Sequence, residues 1–229
     1  MPHLLSYILL PGHDPDALGI AQHTTANLVV FDFEDLVPDG DKPKARLRVR
    51  SWLETEDLDG LAIGVRVNPW QSGPDRIDRS ALVDLDFAHV VLPKVKTPSD
   101  LSKAKVALSE AGVGEPLIHV IIETPDALEA MADIARLGPA SFFVGAFDLA
   151  KALDVEPNPN TTEILGARQS IAAAAAKTGI AAYDMPFIHR TDLTGFEEHL
   201  AQAKYLGFTG CSAVNADQAT RINEVFASD

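Results

Sequence analysis

Cysteine and basic residues are both scarce in this chain. Cys211 is the only cysteine among 229 residues, which excludes an internal disulfide and a zinc site built from several cysteines. Asp and Glu number 33 against 19 Lys and Arg, giving a formal net charge of −14. The most basic run, residues 42–50, has helical spacing and is interpreted as a solvated helix face. Because a nucleic-acid partner needs a basic surface, we expect none.

Long hydrophobic runs are also missing. No apolar stretch of the sequence is long enough to span a bilayer, so no membrane partner is expected. The apolar start, MPHLLSYILLPG, has no positively charged leading segment and ends in Pro-Gly. We interpret it as a strand and not as a signal peptide. A cytoplasmic location is the resulting expectation.

Two common kinds of motif are absent. The loop after the first apolar run, LLPGHDPDA, contains one glycine and therefore offers neither a GxGxxG nor a GxxxxGK phosphate loop. The histidines are scattered and form no HExxH or HxxxH pair, which argues against zinc. An open nucleotide-binding sheet and a zinc site are therefore both disfavoured.

Short apolar runs rich in Val and Ile recur along the chain, and amphipathic stretches alternate with them. The predicted strands are residues 6–10, 27–33, 62–68, 89–95, 117–124, 141–148, 180–187 and 210–215. This alternation predicts parallel βαβ units, and eight of them predict an α/β fold, a (β/α)8 TIM barrel, as one domain over residues 1–229. A doubly wound open sheet is the alternative.

Turn and cap residues divide these units. Ser99 and Gly112 are predicted as the N-cap and C-cap of the helix after the fourth strand. Pro125 and Gly138 mark the beginning and the end of the next helix. A Gly/Pro loop is predicted after the third strand, and residues 156–163 are predicted as a loop after the sixth.

Charged and polar residues gather at the predicted strand ends, whereas the strand beginnings are apolar or weakly polar. These residues are Asp32, Glu34, Asp35, Arg66, Asn68, Lys94, Glu123, Asp148, Asp184 and Asn215. In a barrel of this kind the active site lies at the carboxyl ends of the strands. The pattern therefore predicts a functional site at that rim.

The chemistry indicated at the rim is that of a hard metal ion. Glu123 and Asp148 end neighbouring predicted strands, so their carboxylates can converge. Mg²⁺ takes few protein ligands and keeps several waters, so two carboxylates and substrate oxygens suffice. Each carboxylate taken alone could instead serve in a salt bridge or cap a helix, and Asp148 could cap the helix that follows it.

Two basic residues could face this acidic rim. Arg66 either pairs with a neighbouring acid or clamps a substrate carboxylate or carbonyl. Lys94 has three interpretations: an ion pair with the acids after the second strand, a contact with substrate, or a Schiff base. We favour the ion pair, because nearby carboxylates hold an ammonium protonated.

The sequence resembles the HpcH/HpaI aldolase and citrate lyase β-subunit family, most closely its citrate-lyase-β-like branch, over nearly its whole length. The resemblance rests on FDFEDLVPDGDKPKAR, GVRVN, VVLPKV, IIETPDAL, FVGAFDLAKAL and LGFTG, in that order. It implies a TIM barrel that cleaves or forms a carbon–carbon bond beside an enolisable carbonyl, with Mg²⁺ or Mn²⁺. It also implies a homo-oligomer, a trimer or hexamer.

The resemblance further implies roles for individual residues. Glu123 and Asp148 match the metal ligands, and Arg66 matches the arginine that binds substrate and stabilises the enolate. Glu34 and Asp35 match the acidic pair that lines the site, and we count them with Arg66 as catalytic. Asn68 and Lys94 complete the predicted substrate-binding set with Arg66.

The chain departs from the family pattern in three places. The arginine common beside the first strand is missing, Cys211 stands where a lysine is usual, and the sequence ends soon after one last helix. A β-hydroxyacyl-CoA or related hydroxy acid is the expected substrate. A smaller 4-hydroxy-2-oxo acid, and a non-catalytic accessory barrel that retains the metal rim, are the alternatives. The sequence leaves several candidates for the general base: a metal-bound water, Glu34, Asp35 and His13.

Overall fold

Eight parallel strands close into a barrel in their order along the chain. The computed structural model describes residues 4–56, 58, 60–70, 72–85, 87–156 and 162–227. The strands are β1 Ser6–Pro11, β2 Leu28–Asp32, β3 Ala62–Arg66, β4 His89–Leu92, β5 Leu117–Ile122, β6 Ser141–Val144, β7 Ala181–Asp184 and β8 Gly210–Ala213. The TIM-barrel prediction is confirmed, and the doubly wound alternative is wrong.

Helices follow the strands around the outside of the barrel. They are α1 Ala17–His23, α2 Lys42–Thr55, α3 Gly73–Ala81, α4 Pro98–Glu110, α5 Pro125–Arg136, α6 Ala146–Ala152, α7 Leu165–Thr178, α8 Leu193–Leu206 and α9 Ala216–Ala227. Within the described residues, none of these helices is long and apolar enough to cross a membrane.

Three local predictions are wrong or incomplete. The Gly/Pro stretch after β3 contains the helix α3, because Ser72 caps it and a proline suits the first turn. The helix α4 is capped by Thr97 and not by Ser99, through a capping box with Asp100. Gly112, with a φ of +80°, follows the C-cap residue Ala111 and is not itself the cap. The predicted loop at 156–163 falls mostly outside the described residues.

The sixth strand is shorter than predicted. It ends at Val144, and Gly145 leads directly into α6, so Asp148 lies in the first turn of that helix and not at a strand end. Asp148 nevertheless stays at the same rim, because the helix begins where the strand stops.

The barrel interior is packed with side chains. Tyr7, Val91, Ile121, Phe143 and Tyr183 come from five different strands and contact one another, which is possible only inside the barrel. The Tyr7 and Phe143 rings stack with centroids 4.0 Å apart, and the Tyr183 ring meets both edge-on. This aromatic layer forms a floor beneath the carboxyl rim, so a ligand site lies above it.

Candidate active site

Asp32, at the end of β2, organises the acidic turn that follows. Its carboxylate accepts the main-chain N–H groups of Glu34 at 3.0 Å and Leu36 at 2.8 Å. It also accepts two hydrogen bonds from Arg66, at 2.5 and 2.6 Å. Asp32 is completely buried, and its Cα is the register partner of Arg66 in the neighbouring strand. Asp32 therefore fixes both the turn and the arginine.

Arg66 is held by two carboxylates. Besides the paired bonds to Asp32, its Nη1 lies 3.1 Å from Glu34 Oε2. Burial acts to lower the pKa of Arg66, but the charge of Asp32 and then that of Glu34 more than offset it, so the pKa is raised. The guanidinium is thus permanently charged and has a fixed orientation at the rim.

Lys94 lies among three acids. Its Nζ is 2.8 Å from Glu34 Oε1, 3.3 Å from Asp148 Oδ2 and 3.4 Å from Asp35 Oδ2. Burial acts to lower the pKa of Lys94, but the bond to Glu34 and the surrounding charges raise it overall. These contacts favour the ion-pair interpretation of Lys94 over a Schiff base, which requires a neutral amine.

Glu34 and Asp35 are neighbours with opposite pKa shifts. Burial raises the pKa of Glu34, although Arg66 and Lys94 act against it. Asp35 is 52% exposed, and there Lys94 and a hydrogen bond to Glu34 outweigh burial, so the pKa of Asp35 is lowered. Paired carboxyl groups with diverging pKa values can divide the tasks of holding and accepting a proton.

Glu123 follows β5 and is almost fully buried. Its Oε1 accepts the main-chain N–H of Lys94 at 2.6 Å. Burial raises the pKa of Glu123 to about 8; the Lys94 amide opposes this rise, and the charges of Glu34 and Asp148 add to it. A cation bound beside Glu123 would favour its charged form.

Gly145 makes room for the Glu123 carboxylate. A Cβ at this position would lie 2.5 Å from the Cβ of Glu123 and 2.6 Å from its Oε2. The φ of Gly145 is −92°, so glycine is needed here for space and not for a left-handed backbone.

The donor set fits a magnesium ion. Five carboxylates, Asp32, Glu34, Asp35, Glu123 and Asp148, gather around two cations, leaving an excess of negative charge. Among the described residues, the buried Glu34 Oε2 has no partner aligned for a hydrogen bond. Every available donor is an oxygen, as Mg²⁺ prefers, and Glu123 and Asp148 are the two that could hold it directly.

Three of these carboxylates, Asp35, Glu123 and Asp148, line a cavity of about 470 Å³ above the aromatic floor. Its polar lining is formed by Asp35, Arg66, Glu123, Asp148, Arg190 and Ser212. The rest of the wall is apolar and includes Leu9, Ile121, Phe147 and Ile188. A second groove, of about 780 Å³, shares Leu9, Pro11, Arg190 and Val214 with the cavity. The volumes suit a ligand larger than a two- or three-carbon acid.

Asn68 and Asp184 do not lie in this cavity, contrary to expectation. The Asn68 amide accepts from Lys42 Nζ at 2.7 Å and donates to Phe33 O at 2.9 Å and Asp78 Oδ2 at 2.7 Å. With both ends of its amide bonded inside the protein, Asn68 has no direct substrate contact to offer. The predicted substrate-binding role of Asn68 therefore finds no support in its contacts.

Asp184 points away from the rim. Because Tyr183 faces the barrel interior, the next residue faces the helices, where Arg168 binds both Asp184 oxygens at 3.1 and 2.5 Å. Asn215, also predicted at the rim, accepts the N–H of Gln218 and lines only the second groove. His13, considered as a base, is not among the residues lining either space.

The described residues contain one dense group of metal-binding side chains, and it lies elsewhere. Ligand atoms of Asp184, His199 and Cys211 lie within 4.8 Å of one another. However, Arg168 already neutralises Asp184, and His199 Nε2 lies 3.1 Å from Met185 O. A cation beside that buried guanidinium would be repelled, so we interpret this group as structural.

Sequence reasoning missed several residues that line the cavity. Tyr7 and Ser212 point inward from β1 and β8, and the alternation of side chains along a strand could have identified them. Arg190 lies in the connection between β7 and α8, where no periodic pattern applies. Arg190 is thus a basic residue of the cavity lining that only the folded structure locates.

Comparison with known proteins agrees with this geometry. The profile of the HpcH/HpaI aldolase/citrate lyase family matches residues 5–216. Citrate lyase subunit beta of Escherichia coli (strain K12) is 30% identical over 230 residues, covering 97% of this chain and 76% of that protein. The mitochondrial citramalyl-CoA lyase of Rattus norvegicus is 26% identical, covering 96% and 70%.

Solved structures share the fold. RipC from Yersinia pestis superposes with a TM-score of 0.81 at 25% identity, covering 97% of this chain and 94% of its own. CitE from Mycobacterium tuberculosis, in complex with magnesium and pyruvate, gives a TM-score of 0.84 at 22% identity, covering 98% and 91%. The match of the family profile across most of the barrel decides the assignment. This chain belongs to the HpcH/HpaI aldolase/citrate lyase family and is a carbon–carbon lyase of that family.

Proposed function

We propose that the chain cleaves a β-hydroxyacyl-CoA or a related hydroxy acid by a Mg²⁺-dependent retro-aldol or retro-Claisen reaction. The observation that carries this proposal is the convergence of Glu123, Asp148 and Arg66 on one cavity. The relatives named citrate lyase subunit beta and citramalyl-CoA lyase support the reaction class. The magnesium and pyruvate named with the related CitE support the metal and an oxo-acid product.

Glu123 and Asp148 would hold the metal. When bound there, Mg²⁺ would supply a Lewis acid for the negative charge that develops on a carbonyl or enolate oxygen. Lys94 maintains the geometry of both ligands, because its amide orients Glu123 and its ammonium lies beside Asp148. Mn²⁺ added to the buffer is expected to replace Mg²⁺, since it accepts the same oxygen ligands.

Arg66 acts on the enolate. Breaking the carbon–carbon bond sends its electron pair into a carbonyl, and the oxygen of that carbonyl becomes an enolate. Arg66 lines the cavity, and its orientation is fixed in advance by Asp32. A preorganised cation stabilises the developing charge without reorganising during the reaction.

The proton of the substrate hydroxyl must leave as the bond breaks. Asp35 lines the cavity, whereas Glu34 lies behind it in hydrogen-bond contact. We assign Asp35 as the first acceptor and Glu34, whose pKa is raised, as the group that shares the proton with it. Asn68 takes a positioning role, holding Lys42 and Asp78 beneath the rim.

The proposed function is tested by proton exchange. The protein is placed in D₂O with Mg²⁺, pyruvate and acetyl-CoA together, and both methyl signals are followed by NMR. EDTA-sensitive loss of the acetyl signal supports a thioester lyase, and loss of the pyruvate signal supports the 4-hydroxy-2-oxo-acid alternative. Loss of neither signal would favour the accessory barrel.

Three variants make this test specific. Glu123→Gln and Asp148→Asn should abolish exchange and weaken Mg²⁺ binding measured by calorimetry. Asp217→Asn, at an exposed position of α9, is the matched control and should leave both unchanged. Retained exchange in the first two variants would remove the metal site that we assign.

A homo-oligomer is also part of this proposal. Leu36, Phe147 and Ile188 surround the cavity mouth and are 44%, 57% and 49% exposed. Apolar side chains grouped in this way favour burial against another surface. Light scattering should give a trimer or hexamer, and a monomer at micromolar concentration would contradict this part.

A further inference from the structure

We infer that Arg190 determines substrate specificity, by binding an anionic group of the substrate that the metal does not hold. The inference rests on the proposed function and adds a class of substrate to it. The substrate would carry, at the end remote from Glu123 and Asp148, either a second carboxylate or a phosphate of a coenzyme A group.

The position of Arg190 around the barrel supports this role. Arg66 lies at the end of β3, the two metal-ligand candidates follow β5 and β6, and Arg190 follows β7. The two arginines that line the cavity therefore stand on opposite sides of the metal-ligand pair. Cleavage of a carbon–carbon bond produces two fragments, so each arginine can serve one of them.

Arg190 differs from the buried arginines Arg66 and Arg168 in being available to a ligand. Arg66 and Arg168 each bind both oxygens of an aspartate. Arg190 is exposed, and within the described part of the chain no carboxylate lies within ion-pair distance of it. A loop arginine without a partner is usually just solvated, but this one lines the active-site cavity.

The surroundings of Arg190 favour an anionic ligand. On its side the cavity wall is formed by Pro186, Ile188 and Val214, which carry no charge. A guanidinium beside an apolar wall offers a planar pair of donors that matches a carboxylate in geometry and charge. Among the described residues that line the cavity, the other ionic groups all belong to the metal and Arg66 side.

The second groove helps to choose between the two anions. Arg190 lines both the cavity and the groove, and the lining of the groove also includes Asp14 and Asp16. The negative charges of these two acids oppose a polyphosphate lying in the groove. A carboxylate located at the junction avoids them, so we expect the second carboxylate of a dicarboxylic substrate or product to be the ligand of Arg190.

A matched pair of acids tests this. 2-Oxopentanoate and 2-oxoglutarate share the oxo-acid end and differ by a terminal methyl against a terminal carboxylate. Mg²⁺-dependent binding of each is measured by calorimetry with the wild type, Arg190→Gln and Arg190→Lys, and acetyl-CoA is titrated in parallel. Arg76→Gln, at an exposed position of α3 outside the cavity lining, is the control variant.

The expected result is selective. Arg190→Gln should weaken 2-oxoglutarate about tenfold or more and 2-oxopentanoate less than about twofold, with Arg190→Lys intermediate. Selective weakening of acetyl-CoA instead would support the inference with a phosphate as the anion. Equal effects on all three ligands, or none, would overturn it while the proposed function stands. Failure of the wild type to bind any of them with Mg²⁺ would overturn both.

Discussion

The main-chain N–H of Lys94 donates to Glu123 Oε1 at 2.6 Å while the φ of Lys94 is +53°. A left-handed conformation costs a non-glycine residue about 1–2 kcal/mol. The same residue sends its ammonium to Glu34, Asp35 and Asp148. In this unfavourable backbone conformation Lys94 contacts four carboxylates through its amide and its ammonium. Glycine would be less strained at this position but could not make the ammonium contacts.

Lys94 should resist trapping as a Schiff base. Because its pKa is raised by Glu34 and the neighbouring acids, the amine stays protonated and cannot attack a carbonyl. We expect intact-protein mass spectrometry after incubation with pyruvate and borohydride to show no pyruvyl adduct. An adduct that forms in the wild type and disappears in Lys94→Arg would contradict the ion-pair interpretation.

Gly145→Ala should impair activity strongly. The added methyl group would collide with the Glu123 side chain, and a shift of about 1 Å at a catalytic group can cost about a hundredfold in rate. The measurement is kcat/KM alongside Mg²⁺ affinity. Gly166→Ala is the control, since nothing lies within 4 Å of a Cβ at that position of α7. Equal activity in the two variants would show that the Glu123 site is not needed.

Asp32→Asn should affect both stability and catalysis. Removing one charge of a buried pair leaves Arg66 incompletely compensated, at a cost of about 3–5 kcal/mol in the free energy of unfolding. Urea denaturation provides the measurement. Glu197→Gln, which breaks an exposed pair with Arg221, is the comparison and should leave the urea midpoint nearly unchanged.

Arg66→Lys tests the guanidinium itself. A lysine keeps the charge but cannot bond both Asp32 oxygens and reach Glu34 together. We expect kcat/KM to fall by about 10²–10³ while Mg²⁺ affinity changes little. Wild-type turnover in this variant would show that only the charge of Arg66 matters.

The stability of the barrel should depend on pH through His119. Its ring stacks on Phe143, its Nε2 lies 2.8 Å from His89 Nδ1, and its Nδ1 lies 2.6 Å from Ser141 Oγ. Burial, and then His89, lower the pKa of His119 from its ordinary value of 6.5 to about 3. Between these values the unfolded chain binds a proton that the folded protein does not, so stability falls as the pH falls.

His119→Gln should remove this dependence. The slope of the free energy of unfolding against pH, between pH 4 and 6, should decrease by about 1.4 kcal/mol per pH unit relative to the wild type. Titrating groups that do not contact His119 are common to both proteins and cancel in the difference, whereas its partner His89 is followed separately by NMR. Parallel stability curves would mean that His119 is not held neutral.

The sequence predicted the fold because strand period, turn residues and element order all agree with a barrel. It also predicted the rim residues Arg66, Lys94 and Glu123, since a strand end in a barrel determines which rim a side chain joins. Asp184 was placed wrongly because facing depends on a single residue of register. Tyr183 takes the inward position, so its neighbour turns outward to Arg168.

Other differences arise from tertiary context. Asn68 lies at the end of a predicted strand, where a ligand is expected, but its side-chain amide donates to Asp78 of α3. The sequence predicts a loop and not a helix in that Gly/Pro stretch. The strand beginnings were expected to be at most weakly polar, yet His89 and His119 form a buried hydrogen-bonded pair there. Such hydrogen-bond partners come from distant parts of the chain, so no local sequence pattern predicts them.

The passage from β6 to α6 determines how the site can change. Glu123 is fixed by a strand, whereas Asp148 lies three residues beyond Gly145, in a helical turn. Each residue of a helix rotates a side chain by about 100° around the axis. Inserting or deleting one residue between 145 and 148 would therefore turn the carboxylate away from the cavity, although the aspartate itself would still be present. Asp148 can therefore serve as a ligand only while its spacing of three residues from Gly145 is kept.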